Sequence, residues 1–185
     1  MSDITALVNQ LDAAQRDVHA LVDGLSEANA AWPPAPGAWS VAECLDHLAI
    51  TNRIYLAAMN EPIASARQMG RLRRGPMRPG LLGGWFVRSL EPPVTKRMRA
   101  PRNVVPRSSP PFRDAITAFE NAHEEVRVFL RANADLDLNS IRFPNPFIRG
   151  LRFSLATGLH VIPAHERRHL WQAWRVRRAA ESRPL

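Results

Sequence analysis

Among its 185 residues the chain has one cysteine, Cys44, one lysine, Lys96, and one tyrosine. A lone cysteine excludes an internal disulfide framework and any zinc cluster built from several thiolates. No apolar run approaches the roughly 18 residues needed to span a bilayer. The longest candidate is Leu81-Leu82-Gly83-Gly84-Trp85-Phe86-Val87, which falls far short. The amino terminus, MSDITALVNQLDAAQ, lacks a basic stretch followed by an apolar one. No secretory signal is therefore expected, and the expected location is the cytoplasm. Convincing strand alternation is missing, and so is any internal repeat.

Positive charge is abundant but confined. The formal net charge is +8, yet between Arg67 and Arg107 eleven Arg or Lys face one acid, Glu91, a local net of +10. The remainder of the chain is thus slightly acidic. Lys96 is the only lysine among 25 basic residues, so the arginine bias reads as compositional and not as phosphate recognition. A solvated basic loop accounts for the segment, and nucleic acid is not an expected partner.

Four long helical patterns predict an all-α fold. In the first, about residues 3–28, Ile4, Leu7, Val8, Leu11, Val18, Leu21, Val22 and Leu25 recur at three- and four-residue spacing. The Pro-rich WPPAPGAW, residues 32–39, breaks that pattern. Ser40-Val41-Ala42-Glu43 is a capping box that starts the second helix, expected to run to about Met59 or slightly beyond. Cys44, His47, Leu48, Thr51 and Tyr55 share one of its faces, and Glu43 is a cap and not a catalytic acid. The third helix is expected at about 111–133, with Ile116, Phe119, His123, Val126 and Leu130 on its stripe. The last, about 154–179, contains Pro163, which leaves the carbonyl of Leu159 without its partner. Between the second and third helices lies a basic Pro/Gly/Arg-rich connection, about 70–110, with an amphipathic piece around LLGGWFVRSLEPP. It is expected to cross one end of the bundle, to roof part of the site, and to bury Leu81, Leu82, Trp85 and Phe86 with its arginines mostly outward. The length suits one domain, residues 1–185, built as a four-helix bundle.

Six histidines are the candidate chemistry. AHERRHLWQ, residues 164–172, holds His165 and His169 four apart, so both imidazoles leave one helix face and can converge on one ion. Gln172 continues that face and can orient a ligand. The spacing by itself also fits two histidines on a polar face. A literal H-E-x-x-H suggests a zinc protease, but that chemistry needs a downstream ligand and Glu166 aimed at the metal. After His169 there is no later histidine, and Glu166 lies about 100° round the helix, where it is expected to face arginine or solvent. An upstream ligand is available in His47. Alone it reads as a core histidine; with the pair it makes a three-histidine site with open positions. His123 reads as a core histidine, His19 as exposed, and His160 as off the face of the pair. Cys44 is a small buried residue near His47.

WSVAECLDHL, residues 39–48, together with HVIPAHERRHLWQ, residues 160–172, resembles the DinB-like superfamily of metal-binding four-helix proteins. The likeness extends through GWFVRSLEPPVTKRMRAP and NPFIRGLRFSL, and so covers nearly the whole chain. It implies up-down-down-up connectivity and a divalent ion, zinc or nickel, held by His47, His165 and His169. Cys44, Thr51 and Gln172 are the expected pocket residues around it. The resemblance, through YfiT-like thiol transferases, further implies that the ion binds a low-molecular-weight thiol such as bacillithiol, mycothiol or glutathione, which attacks an electrophile. A metal-dependent hydrolase using the same histidines is the alternative, and a non-enzymatic module using the basic segment is a third. Exposed apolar residues in the long connections make a homodimer a candidate assembly.

Overall fold

The apolar stripes of the sequence become four long helices in the computed structural model, which describes residues 2–94 and 100–183. Helix α1, Ser2–Val22, buries Leu7, Leu11, Ala14, Val18 and Leu21 along one line. It stops earlier than its periodicity suggests. Gly24 adopts a left-handed φ of 65°, and Ser26 then caps a separate short helix α2, Glu27–Ala31, by accepting from the Asn29 N–H. A glycine in that conformation is a helix terminator, and it outweighs the apolar Leu25 beyond it.

Helix α3, Val41–Gln68, opens with both halves of the capping box: Glu43 N–H to Ser40 Oγ at 3.2 Å and Ser40 N–H to Glu43 Oε2 at 2.8 Å. It runs well past Met59, through Pro62, because Ile63 and Ala66 continue the buried stripe. The proline removes one backbone bond, and packing on both sides of it holds the helix together. Helix α4, Leu81–Leu90, lies within the long connection, which also holds a 3-10 turn, Arg102–Val104. Lys96, Arg97 and Arg99 of the basic segment lie outside the described residues. Helix α5 is Phe112–Ala132 and helix α6 is Leu155–Glu181, with Pro163 inside.

An antiparallel hairpin, β1 (Arg142–Pro144) and β2 (Arg152–Ser154), occupies a stretch that reads as irregular. Its strands are three residues long, too short for alternation to show. The paired Phe143 and Phe153 both turn into the core.

Side-chain bonds give each pair of neighbours its register. Along α1 and α6, Gln10 meets Arg167 at 3.2 Å, Asp17 meets Trp174 Nε1 at 2.8 Å, and the Leu21 carbonyl meets Arg177 at 2.8 Å. Along α1 and α5, Asp12 meets Arg127 at 2.8 Å and His19 meets Glu120 at 3.3 Å. Along α3 and α5, Arg53 meets Glu125 at 3.2 Å and Arg67 reaches the Ala132 carbonyl. Glycines set two close approaches. A Cβ on Gly158 would lie 2.4 Å from Met59 Cε and 2.6 Å from Phe143 Cζ, so only glycine lets α6 close on α3 and the hairpin. A Cβ on Gly83 would lie 2.3 Å from Thr157 Oγ1, which seats α4 directly on α6.

The long connection is partly pinned and partly bare. Arg73 donates to Asp3 at 2.6 Å and Met77 N–H also reaches that carboxylate, which is held well below the usual carboxylate range chiefly by Arg73. Phe86 packs on Phe153 with centroids 5.0 Å apart. Leu81, Leu82 and Trp85 are not buried, against expectation: the inner face of α4 is filled by Gly83 and Leu90, and nothing among the described residues covers its outer ones.

Candidate metal centre

His47 sits near the start of α3, fixed by the capping box just before it, and the last long helix presents His165 and His169 one turn apart. Their side chains meet in the interior between α3 and α6. One ligand-type nitrogen from each lies within 4.8 Å of the other two. His47 Nε2 and His165 Nε2 are 3.4 Å apart. Two nitrogens each bound at 2.0–2.1 Å to a tetrahedral ion stand about 3.3 Å apart, so this pair has the spacing of one edge of such a site.

The far side of each ring decides which nitrogen is free. His47 Nδ1 is 2.6 Å from the Val104 carbonyl, which can only accept, so the proton resides on Nδ1 and the Nε2 lone pair points inward. His169 Nδ1 is 3.1 Å from Gln172 Oε1 and is fixed the same way. His165 Nδ1 is buried without a hydrogen-bond partner among the described residues. Burial, the first cause in each case, lowers the pKa of all three rings: His47 below its ordinary value, His165 well below, and His169 to about 3. The mutual repulsion of the rings adds to this for His165 and His169. Three neutral imidazoles, two of them held with the lone pair inward, form a donor set suited to a divalent ion of intermediate softness.

The depressed values carry a stability consequence. An unfolded imidazole takes up a proton below about pH 6.5, whereas these rings refuse it until lower pH. The unfolded chain therefore binds more protons there, and metal-free stability should be full above about pH 6.5 and decline towards pH 3. Urea unfolding at pH 7.5 and pH 5.0 checks this. Equal midpoints would show the rings accept protons freely in the folded chain.

Further residues support the site that spacing did not single out. Trp39 stands over it, its ring centroid 4.6 Å from that of His47 and 5.7 Å from that of His169. Asp46, almost fully buried, accepts from the Arg107 backbone N–H at 2.8 Å and from its guanidinium at 2.7 Å. That clamp holds the strand of chain bearing Val104 against His47. Replacing Asp46 with Asn should loosen the Val104 carbonyl and weaken metal binding about 10- to 100-fold, as loss of a ligand's orienting partner does. Competition with a chelating dye measures it; an unchanged affinity would mean Val104 is held by other contacts.

The other sequence candidates are placed as follows. Cys44 is fully buried among Leu45, Leu48 and Phe119, burial pushes its thiol far up, and it is not among the converging donors. Thr51 is buried one turn beyond His47, its hydroxyl without a partner among the described residues. His160 Nδ1 donates to the Ala156 carbonyl at 2.7 Å, apart from the triad.

Glu166 corrects an expectation. It faces neither arginine nor solvent but is wholly buried, with Oε1 accepting from Asn52 Nδ2 at 2.8 Å and lying 3.2 Å from His123 Nδ1. Helix α6 is flanked by α1, α3 and α4, so a position 100° from the pair still points into the bundle. The carboxylate is engaged there and is not among the converging donors.

A family model described as the DinB superfamily matches residues 10–173. No curated protein and no solved structure matches the chain.

Proposed function

Because the chain belongs to the DinB superfamily, we propose that it is a single-domain, metal-dependent thiol-S-transferase that joins a low-molecular-weight thiol to an electrophilic small molecule, as a detoxification enzyme does. The observation that carries this reading is the convergence of His47, His165 and His169, with the ring protons of His47 and His169 turned outward. Zinc and nickel are the ions that suit three neutral imidazoles. A divalent ion held there would supply the Lewis acidity that lowers the pKa of a thiol substrate.

The chain's own residues then have separate tasks. His47, His165 and His169 would hold the ion through one ring nitrogen each, and three protein ligands would leave room for a substrate. The Val104 carbonyl and Gln172 hold two of the rings in one tautomer. The Trp39 indole excludes water from one side of the site and offers a flat apolar surface to the electrophile. Glu166 is given no proton-transfer role in this reading, since it is wholly buried, its Oε1 is held by Asn52 and lies beside His123, and it is not among the converging donors.

An up-down-down-up arrangement of α1, α3, α5 and α6 belongs to the same reading. Residue pairs that ascend together along α1 and α6, and along α3 and α5, support it, as do pairs that run oppositely along α1 and α5. The proposed location is the cytoplasm, where low-molecular-weight thiols are reduced; no helix among the described residues is long and apolar enough to cross a membrane.

The test is turnover of an aryl halide and an epoxide by zinc- and nickel-loaded protein with bacillithiol, mycothiol or glutathione. Thiol-dependent product formation is expected. Hydrolysis of esters or amides without any thiol would instead assign the same histidines to a hydrolase.

A further inference from the structure

Helix α4 turns an apolar arc to solvent. Leu81 is 96 % exposed, Leu82 84 % and Trp85 64 %. On a helix, Leu81, Trp85 and Arg88 fall a turn apart along one line, with Leu82 beside them. The opposite arc is committed to the body of the protein: Gly83 lies against Thr157, Phe86 stacks near Phe153, and Leu90 is buried. The helix cannot roll to hide its leucines without losing that seat. Its outward face is therefore a fixed feature.

The segment that carries the arc is strongly basic. Arg74 and Arg78 lead into the helix and Arg88 lies on it, all exposed. The segment's one acid, Glu91, is bound by Arg167 at 2.8 Å and so does not neutralise them. We infer that α4 is an interfacial docking element for an anionic lipid surface. Leu81, Leu82 and Trp85 enter the headgroup region, while Arg78 and Arg88 lie level with the lipid phosphates. At ten residues the helix lies in the interface and does not span it. A second copy of the chain fits the arc less well. Paired across a two-fold axis, the arc would set one basic segment against another, and like charges face to face oppose association. A leucine that is almost wholly exposed also needs a matching hollow on a protein partner, whereas a fluid lipid surface yields to it.

The experiment is co-sedimentation of the full chain with vesicles of phosphatidylcholine alone and of phosphatidylcholine with phosphatidylglycerol. Binding is expected to the anionic vesicles only and to be released by salt. A fluorescence blue shift should accompany it and be absent from Trp85→Phe. The double variant L81S/L82S should lose binding by tenfold or more, and Arg78→Glu or Arg88→Glu should weaken it by at least roughly fivefold each. These exposed positions lie outside the core, and circular dichroism and metal content should match the parent. No binding to anionic vesicles at low salt overturns the inference. So does a leucine variant that converts a dimer to a monomer while leaving vesicle binding unchanged. Metal binding rests on different residues, so failure here leaves the proposed activity untouched, and the reverse also holds.

Discussion

Replacing His165 or His169 with Ala should abolish tight binding of a divalent ion and any thiol transfer, while leaving helical content almost unchanged. Each histidine supplies one of three converging nitrogens, and losing a ligand should cost more than the roughly 100-fold that follows loss of a ligand's orienting partner. The helices themselves do not depend on these rings. Helix α6 is held by Leu155, Leu159, Ile162, Leu170, Ala173 and Val176, all buried, and its start is capped by Ser154. Isothermal titration with zinc and far-ultraviolet circular dichroism give the two readouts. Full activity in the alanine variants would make the triad incidental to function.

Glu166→Ala should have the opposite profile, a large loss of stability. The carboxylate is the acceptor for Asn52 Nδ2 and lies within hydrogen-bond distance of His123 Nδ1, and all three residues are buried. Truncation leaves both nitrogens in the core without an acceptor and opens a cavity. Each buried polar group left unsatisfied costs about 1–3 kcal/mol and the cavity adds to that, which for a chain of this size lowers the melting temperature by about 10 °C. Glu166→Gln keeps the shape and one acceptor oxygen, so its effect should be much smaller, and thiol transfer should persist. Thermal melts of the two variants separate these outcomes. A Glu166→Gln protein that folds normally yet loses all activity would restore the general-base role that a zinc protease assigns to this position.

The sequence was informative where local chemistry decides structure. The capping box at Ser40 and Glu43 placed the start of α3, and with it His47, because both partners lie within one helical turn. The spacing of His165 and His169 put two nitrogens on one face for the same reason. Apolar periodicity found the four long helices but not the end of α1, where Gly24 acts against an apolar residue at 25. It also misjudged α4, since periodicity says which residues share a face and not whether anything packs on it. Leu81 and Leu82 are apolar and bare. The surroundings of the triad were the least legible. The Val104 carbonyl arrives from 57 residues away and carries no side-chain signature. Asp46 and Arg107 meet where the long connection returns to α3, and Asn52, His123 and Glu166 are brought together by the packing of α3, α5 and α6. Asp46 and Asn52 on the buried faces of a helix were the one available sign that polar partners wait in the interior.

Cobalt(II) titration of the metal-free protein, followed by its visible absorption, tests the central claim most directly. The account predicts saturation at one ion per chain, with the intense ligand-field bands of a low-coordinate nitrogen site. Those bands should vanish in His47→Ala, His165→Ala and His169→Ala alike. Weak, non-saturating absorption, or bands that survive any one of the three substitutions, would contradict it.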